Sequence, residues 1–242
     1  MALVAEMLRQ SVRDLTLLGW TLGIETELLL SQPEVVSTIR SPYTGLDLFG
    51  MAPAFRWAVE TGTLEVVEET ETTMGLGLRA ALQGVGYMPG RTLIGTDIMN
   101  IRPDIAIVTC PYTGNRYPAI PAVYPDVALI HVALSDMEGN AVIETNRGVD
   151  RELALLARYT VVTAEEIAPS SDPRLQNSAL IGHSVDALVH CPGGAWPTSC
   201  YPNYTLDAMA MLDYVEAWNH GGEMVASVLN RWVDRLRKEV TP

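Results

Sequence analysis

Apolar positions along this 242-residue chain fall into two kinds of run. Short stretches rich in β-branched residues, apolar on both faces, occur at Asp14–Gly19 (DLTLLG), Thr63–Val67 (TLEVV), Ile105–Thr109 (IAIVT), Val127–Leu134 (VALIHVAL), Tyr159–Thr163 (YTVVT) and Asp186–Cys191 (DALVHC). Apolarity without alternation is the pattern of strands covered on both sides in a parallel sheet. Between them the spacing turns helical. Leu3, Val4, Met7 and Leu8 share one helix face, and Pro53–Thr61, Thr73–Gln83 and Asp150–Arg158 look like crossover helices. The alternation predicts an α/β fold, an open and mostly parallel sheet with helices on both faces. Within it, Val127–Val142 predicts a hairpin whose turn is Asp136–Asn140, with Gly139 at positive φ. The last third differs. Ala208, Met211, Leu212, Val215 and Trp218 repeat at helical spacing, Gly221-Gly222 interrupts, and Val225, Val228, Leu229, Trp232 and Leu236 resume, which predicts helices over about 205–239. No repeat, low-complexity tract or linker divides the chain, so a single domain over 1–242 is expected.

Charge narrows the partners. There are 29 acidic and 16 basic residues, a net charge of −13 and a sequence pI of about 4.6. Nucleic acid and anionic membrane both reward clustered Lys and Arg, so neither is expected. No apolar run approaches the roughly 18 residues that span a bilayer. The opening Met1-Ala2-Leu3-Val4-Ala5-Glu6 lacks the features of a secretory signal. Cys110, Cys191 and Cys200 cannot all pair and show no Cys-x-x-Cys spacing, which fits a reduced, cytoplasmic compartment.

Three loops are candidates for chemistry. The densest is the run DALVHC followed by PGGAWPTSC, where an apolar strand meets Gly193-Gly194 and then Thr198, Ser199 and Cys200. Ligands of open α/β sheets sit beyond strand carboxyl ends, and paired glycines let backbone N–H groups come close to a ligand. The alternative is an ordinary glycine turn with a buried Trp196. The second loop is Gly95-Thr96-Asp97. The third is Pro111-Tyr112-Thr113-Gly114, followed by Pro118, Pro121 and Pro125, whose proline density predicts a shaped loop and not a strand. His131 lies mid-strand among apolar residues, where a satisfied buried histidine is expected more often than a base or ligand. His183 and His190 lack a completing carboxylate or cysteine, so no metal site is expected. Glu68-Glu69-Thr70-Glu71 and Glu165-Glu166 both read as strand ends opening helices, where the helix dipole stabilises anions and capping is the ordinary role. A nucleophilic carboxylate would instead sit ionised in a dry cleft. There is no Gly-x-Ser-x-Gly elbow, P-loop or Gly-x-Gly-x-x-Gly, so serine hydrolase, P-loop kinase and Rossmann dinucleotide readings lose their main support.

Taken in order, FGMAPAFRWAVETGTLEVVEETE, GLRAALQG, MPGRTLIGTD, IPAVYPDVALIHVALSDMEGNA, VVTAEEI and GGAWPTSC resemble the alpha (A) subunit of class I coenzyme A transferases of the glutaconate and 3-oxoacid type, and the related alpha subunits of CoA-thioester hydrolases of steroid-ring degradation. The likeness runs from about residue 3 to about residue 207. It implies a CoA-transferase-type α/β fold and pairing with a homologous beta subunit. It also implies coenzyme A as a substrate with no tightly bound cofactor, and acyl-CoA and carboxylic acid as reactants. Related chains begin a couple of dozen residues earlier, with a strand and glycine turn, so an N-terminal strand is expected to be missing here. Where relatives read Gly-Ala-His-Pro-Thr-Ser, this chain has Trp196 in place of the histidine.

In the mechanism the likeness implies, a glutamate attacks an acyl-CoA, an acyl-glutamyl anhydride forms, and free CoA converts it to a glutamyl-CoA thioester that a second acid resolves. That glutamate resembles a beta-subunit residue. The hydrolase relatives instead use an alpha-subunit glutamate, and Glu71 matches it through its spacing to Gly77–Ala80, which makes Glu71 the candidate catalytic residue of this chain. Thr96, Asp97, Tyr112, Gly193, Gly194, Thr198 and Ser199 are the candidate substrate- or CoA-binding positions. The first expectation is therefore the alpha subunit of a CoA-transferase. The alternatives are the alpha subunit of a CoA-thioester hydrolase and a non-catalytic module of similar architecture that binds a sugar phosphate or effector.

Overall fold

A computed structural model describes residues 1–143 and 147–239. Helix α1 (Ala2–Arg9) leads to strand β1 (Leu15–Leu18), α2 (Ile24–Leu30), β2 (Val36–Ser41), α3 (Pro53–Glu60) and β3 (Glu65–Glu68). These three strands are parallel neighbours in the order β1-β2-β3. Next come α4 (Glu71–Leu82), β4 (Tyr87–Pro89), the short α5 (Ile98–Ile101), β5 (Ala106–Thr109) and β6 (Arg116–Pro121), with β6 between β4 and β5 in an antiparallel sheet. A second parallel ladder follows: β7 (Val127–Asp136), β8 (Ala141–Val142), α6 (Asp150–Leu156), β9 (Tyr159–Ala168) and β10 (Ala187–His190), in the order β10-β9-β7-β8. Only the β7–β8 hairpin is antiparallel there, and Asp136 accepts from the N–H groups of Glu138 and Asn140 across a turn with Gly139 at φ +88°. Helices α7 (Ala208–His220) and α8 (Gly222–Glu239) meet at Gly221, whose φ of +98° favours glycine.

The fold is mixed α/β, as the alternation predicts, with its parallel strands shared between two ladders. Tyr214, Met211, Val225, Val228, Leu229 and Trp232 of the C-terminal helices pack with Val4 and Leu8 of α1, Ile24 and Leu28 of α2, and Ile39 of β2 in the largest core. A second core covers one face of the β7–β9 ladder, where Ile130, Val132, Val162 and Ala164 meet Ala154 of α6 and Leu180. The opposite face is covered at its β10 edge, where Val189 packs near Ala5 and Leu236. Farther along that face Val127, Leu129 and Tyr159 are exposed.

Two expectations are corrected. The proline-rich stretch after Tyr112 holds β6, the central strand of its sheet. β6 pairs with β4 only over Ala119–Pro121 and with β5 only over Arg116–Ala119. Pro118 and Pro121 each belong to one ladder, so the missing N–H of each falls where no second neighbour needs it. Glu165-Glu166 does not open a helix. Both lie inside β9, which runs to Ala168 because β7 pairs with it as far as Asp136↔Ala168.

The N-terminus of α3 is held from a distance. Glu27 on α2 is buried, and its two oxygens accept from the backbone N–H groups of Ala54 and Phe55 (2.8 Å each) and from the Tyr214 hydroxyl on α7 (2.7 Å). One carboxylate thus caps α3 and ties in the C-terminal helices. Replacing Glu27 by Ala orphans three buried donors and is expected to cost about 3 kcal/mol or more, against about 1–2 kcal/mol for Tyr214→Phe. Denaturant unfolding of the two variants checks the ranking, and equal losses would contradict it.

Candidate functional site

Strand β10 ends at His190, earlier than its neighbours, and the chain turns away at Cys191 while β9 continues. The Cys191 N–H still bonds to Ala164 O (2.8 Å), and three successive turns follow, from Gly194 N to Cys191 O, Trp196 N to Gly193 O and Thr198 N to Ala195 O. This is the glycine loop seen in the sequence. Gly193 has φ +72°. A Cβ on Gly194 would lie 2.7 Å from Cys191 Sγ and 3.0 Å from His131 Cε1. The first glycine is required by its backbone and the second by what it touches.

Under the loop lies Glu165. Its Oε2 accepts from Gly193 N–H (2.7 Å), and its Oε1 accepts from the Tyr204 hydroxyl (2.5 Å) and lies 2.6 Å from His131 Nε2. Thr163 Oγ1 sits 2.8 Å from His131 Nδ1. Burial holds the His131 pKa below its ordinary value although Glu165 opposes this, and the ring directs Nε2–H at the Glu165 carboxylate with Nδ1 against the Thr163 hydroxyl. Tyr204 in turn accepts from Ala195 N–H (3.0 Å), and burial beside Glu165 raises its pKa far above the usual phenol value. The Cys200 thiol is likewise pushed up to about 12 by burial and the nearby Glu165 charge. His131, Glu165 and Cys200 offer ligand atoms within 4.8 Å of one another, the only such set among the described residues. The donors and acceptors of His131 and Glu165 already satisfy one another without an ion.

Of the expected binding positions, Gly193, Gly194, Thr198 and Ser199 share this loop. The Gly193 and Gly194 N–H groups are spent inside the chain, on Glu165 and on Cys191 O. Thr198 donates to Ala195 O (2.6 Å), and Ser199 is exposed. Thr96, Asp97 and Tyr112 lie in the unit built on β4–β6–β5, all exposed. Thr96 bonds to Leu93 O (2.9 Å), and Tyr112 stands at the tip of the β5–β6 hairpin with 93% of its surface free. Trp196 is turned toward the C-terminal helices. Its Nε1 donates to Asp207 at the start of α7 (2.9 Å), its ring meets Trp232 edge-on, and Arg235 sits 3.9 Å over its face. The indole anchors the loop to α7 and α8.

Glu71 is the first residue of α4 and is exposed. Thr70 and Thr73 form a capping box around it, and a helix start is an ordinary place for an acidic side chain. Its neighbour Glu69 is buried and accepts from Arg40 Nε (2.6 Å), Arg102 Nη1 (3.1 Å) and the Thr73 hydroxyl. Arg102 also forks onto Asp104 (2.8 and 2.7 Å) and bonds to Glu68 O (2.7 Å). Sequence reasoning names Glu69 only within an acidic strand end and does not single out Arg40, Arg102 or Tyr204, because Glu69 meets its arginines, and Tyr204 meets Glu165, across long stretches of chain.

A third carboxyl stands at the start of α6, which packs beside α4. Burial pushes the pKa of Asp150 up to about 6. A folded-state value above the unfolded one means that Asp150 contributes stability below the ordinary carboxylate range, lost as pH rises through about 6. Asp150→Asn is expected to raise the melting temperature at pH 8 by several degrees and hardly at pH 4. Equal gains at both pH values would contradict the assignment.

Comparison with known proteins places this architecture. The coenzyme A transferase family model matches residues 1–190. The A subunit of a 3-oxoadipate CoA-transferase from Pseudomonas knackmussii is 29% identical over 217 residues, 88% of this chain and 75% of that protein. A cholesterol ring-cleaving hydrolase IpdA subunit from Mycobacterium tuberculosis is 31% identical over 236 residues, 90% of this chain and 78% of its own. An uncharacterised protein of Archaeoglobus fulgidus is 33% identical over 219 residues, 89% of this chain, which spans about half (48%) of that relative. Among solved structures, glutaconate coenzyme A-transferase from Acidaminococcus fermentans superposes with a TM-score of 0.87 at 26% identity, covering 96% of this chain and 78% of that one.

Proposed function

This chain belongs to the coenzyme A transferase family, and we propose that it is the alpha subunit of a heteromeric CoA-transferase, forming one wall of a cleft that a homologous beta subunit completes. The substrates are an acyl-CoA and a carboxylic acid. A glutamate carboxylate attacks the thioester carbonyl and expels CoA thiolate, which leaves an acyl-glutamyl anhydride. The thiolate then attacks the glutamyl carbonyl and releases the first acid, leaving a glutamyl-CoA thioester. The second acid enters by the reverse steps and departs as the new acyl-CoA.

The observation that carries this reading is the state of the chain's own carboxylates. Glu165 is buried with both oxygens accepting hydrogen bonds, and Glu69 is buried between two arginines. Both are engaged by donors that hold them away from any thioester. Glu71 is free of such burial but faces solvent, where an anhydride would be hydrolysed at once. A dry, ionised nucleophile and the cover that excludes water both fit a second polypeptide. The net charge of −13 supports the same division, since it offers CoA phosphates no general attraction. Thr96, Asp97, Tyr112, Gly193, Gly194, Thr198 and Ser199 are the proposed substrate-side positions of this wall. Glu71 opposes the partner's glutamate in the transferase, or acts on the acyl group itself in a hydrolase of the kind whose IpdA subunit matches at 31% identity.

The test is co-expression with a homologous beta-type chain. The pair is expected to move CoA between an acyl-CoA and a carboxylate, and the chain alone to do nothing. Release of free CoA with no transfer to any acceptor would replace the transferase reading by the hydrolase one, and turnover by this chain alone would overturn both. Glu71→Gln in the pair is expected to lower kcat by about 100-fold or more if its carboxylate meets the acyl group. A loss under about threefold would leave Glu71 as a helix-start residue only.

A further inference from the structure

We infer that Glu165 is a positioning residue: it holds the Gly193–Ser199 loop in the form that receives the acyl-CoA, and it does so with Tyr204 as its second arm. The inference rests on the CoA-transferase reading and adds to it a residue within β9 that no loop motif contains.

Three successive backbone turns give the loop a shape but do not fix where that shape stands over the sheet. Its position comes from a few tertiary bonds. Ala2 N–H reaches Gly194 O (2.8 Å) and Trp196 reaches Asp207 at the outer side. On the sheet side Glu165 provides the fixing twice over. Oε2 takes the Gly193 N–H directly, while Oε1 takes the Tyr204 hydroxyl, whose own oxygen takes the Ala195 N–H. The N–H groups on either side of Gly194 are thereby turned inward, one onto the carboxylate and one onto the Tyr204 oxygen that the carboxylate holds, and the Thr198–Ser199 end is left as the polar part of the loop open to a ligand.

The carboxylate is itself aimed. His131 and Thr163 lie on the same face of the ladder, one residue pair removed from Glu165, in the register His131↔Thr163. Thr163 holds Nδ1 of the imidazole, so that Nε2–H points at Oε1. A glutamine at 165 keeps the size but brings an NH2 group against three donors. The tyrosine hydroxyl or the imidazole must then reverse its role, and the Gly193 or the Ala195 contact is released. The Trp196 anchor remains in either case, so the loop stays attached and only its inner edge drifts.

The experiment uses the reconstituted alpha–beta pair, with kcat and KM expressed per titrated active site. Glu165→Gln is expected to raise KM for acyl-CoA by about 10-fold or more, and Tyr204→Phe by about 3-fold. The double variant should match Glu165→Gln alone, because both act through the same carboxylate. A merely structural role would lower the melting temperature and the number of active sites while leaving KM per site at the wild-type value, and that result overturns the inference. So would independent, multiplying effects of the two substitutions. If Glu165→Gln does not fold, Tyr204→Phe, which deletes a single hydroxyl, decides by the same KM criterion. An inactive wild-type pair would instead reject the transferase reading, and the inference with it.

Discussion

A carboxylate taken out of water costs several kcal/mol unless donors replace its hydration, and the loop that closes this fold is arranged around one such replacement. Glu165 receives a backbone N–H, a phenol and an imidazole from three separate stretches of chain. The cost of burial and the position of the loop are thereby linked: Oε1 is met by the imidazole and the phenol, and Oε2 takes its donor from the loop at Gly193. The same link explains the two glycines. Gly193 bends its N–H inward at a φ that other residues resist, and Gly194 packs so close to Cys191 and the His131 ring that a methyl group has no room. Trp196 then fixes the outer side of the loop on α7 and α8.

The two kinds of carboxylate divide the labour. Glu27, Glu69 and Glu165 are buried and saturated: they cap a helix, balance two arginines and hold a loop. Glu71 sits at a helix start in contact with solvent. Chemistry on a thioester needs an anion that is both dry and unengaged, and no described carboxylate among these four has both properties. That is the physical reason for proposing a two-subunit cleft. Exposed Val127, Leu129 and Tyr159, on the sheet face that also carries His131, Thr163 and Glu165, add apolar surface that this chain leaves open.

Much of this is legible in the sequence. β7, β9 and β10 declare themselves by apolar β-branched runs, and α4 by Thr70 and its following helix pattern. β2 does not, because Val36–Ser41 (VSTIRS) is half polar and becomes a strand through pairing with β1 and β3. β6 is hidden by its prolines, which are tolerated only because its two ladders are offset. The end of β9 is obscured for a related reason: Glu165-Glu166 looks like a helix start locally, and only the ladder with β7 carries the strand through it. The glycine loop is legible as a candidate site, whereas its anchor is not. Glu165 lies 28 residues before Gly193, and Tyr204 gives no local signal at all. Spacing along a chain reports helices and turns, while a hydrogen bond between distant strands leaves no mark on it.

The most direct test is to mix the assembled alpha–beta pair with an acyl-CoA, stop the reaction, and map the covalently bound CoA by peptide mass spectrometry. The account predicts a CoA thioester on a glutamate of the beta chain and none on this polypeptide. A CoA adduct on Glu71 or Glu165 of this chain would contradict it.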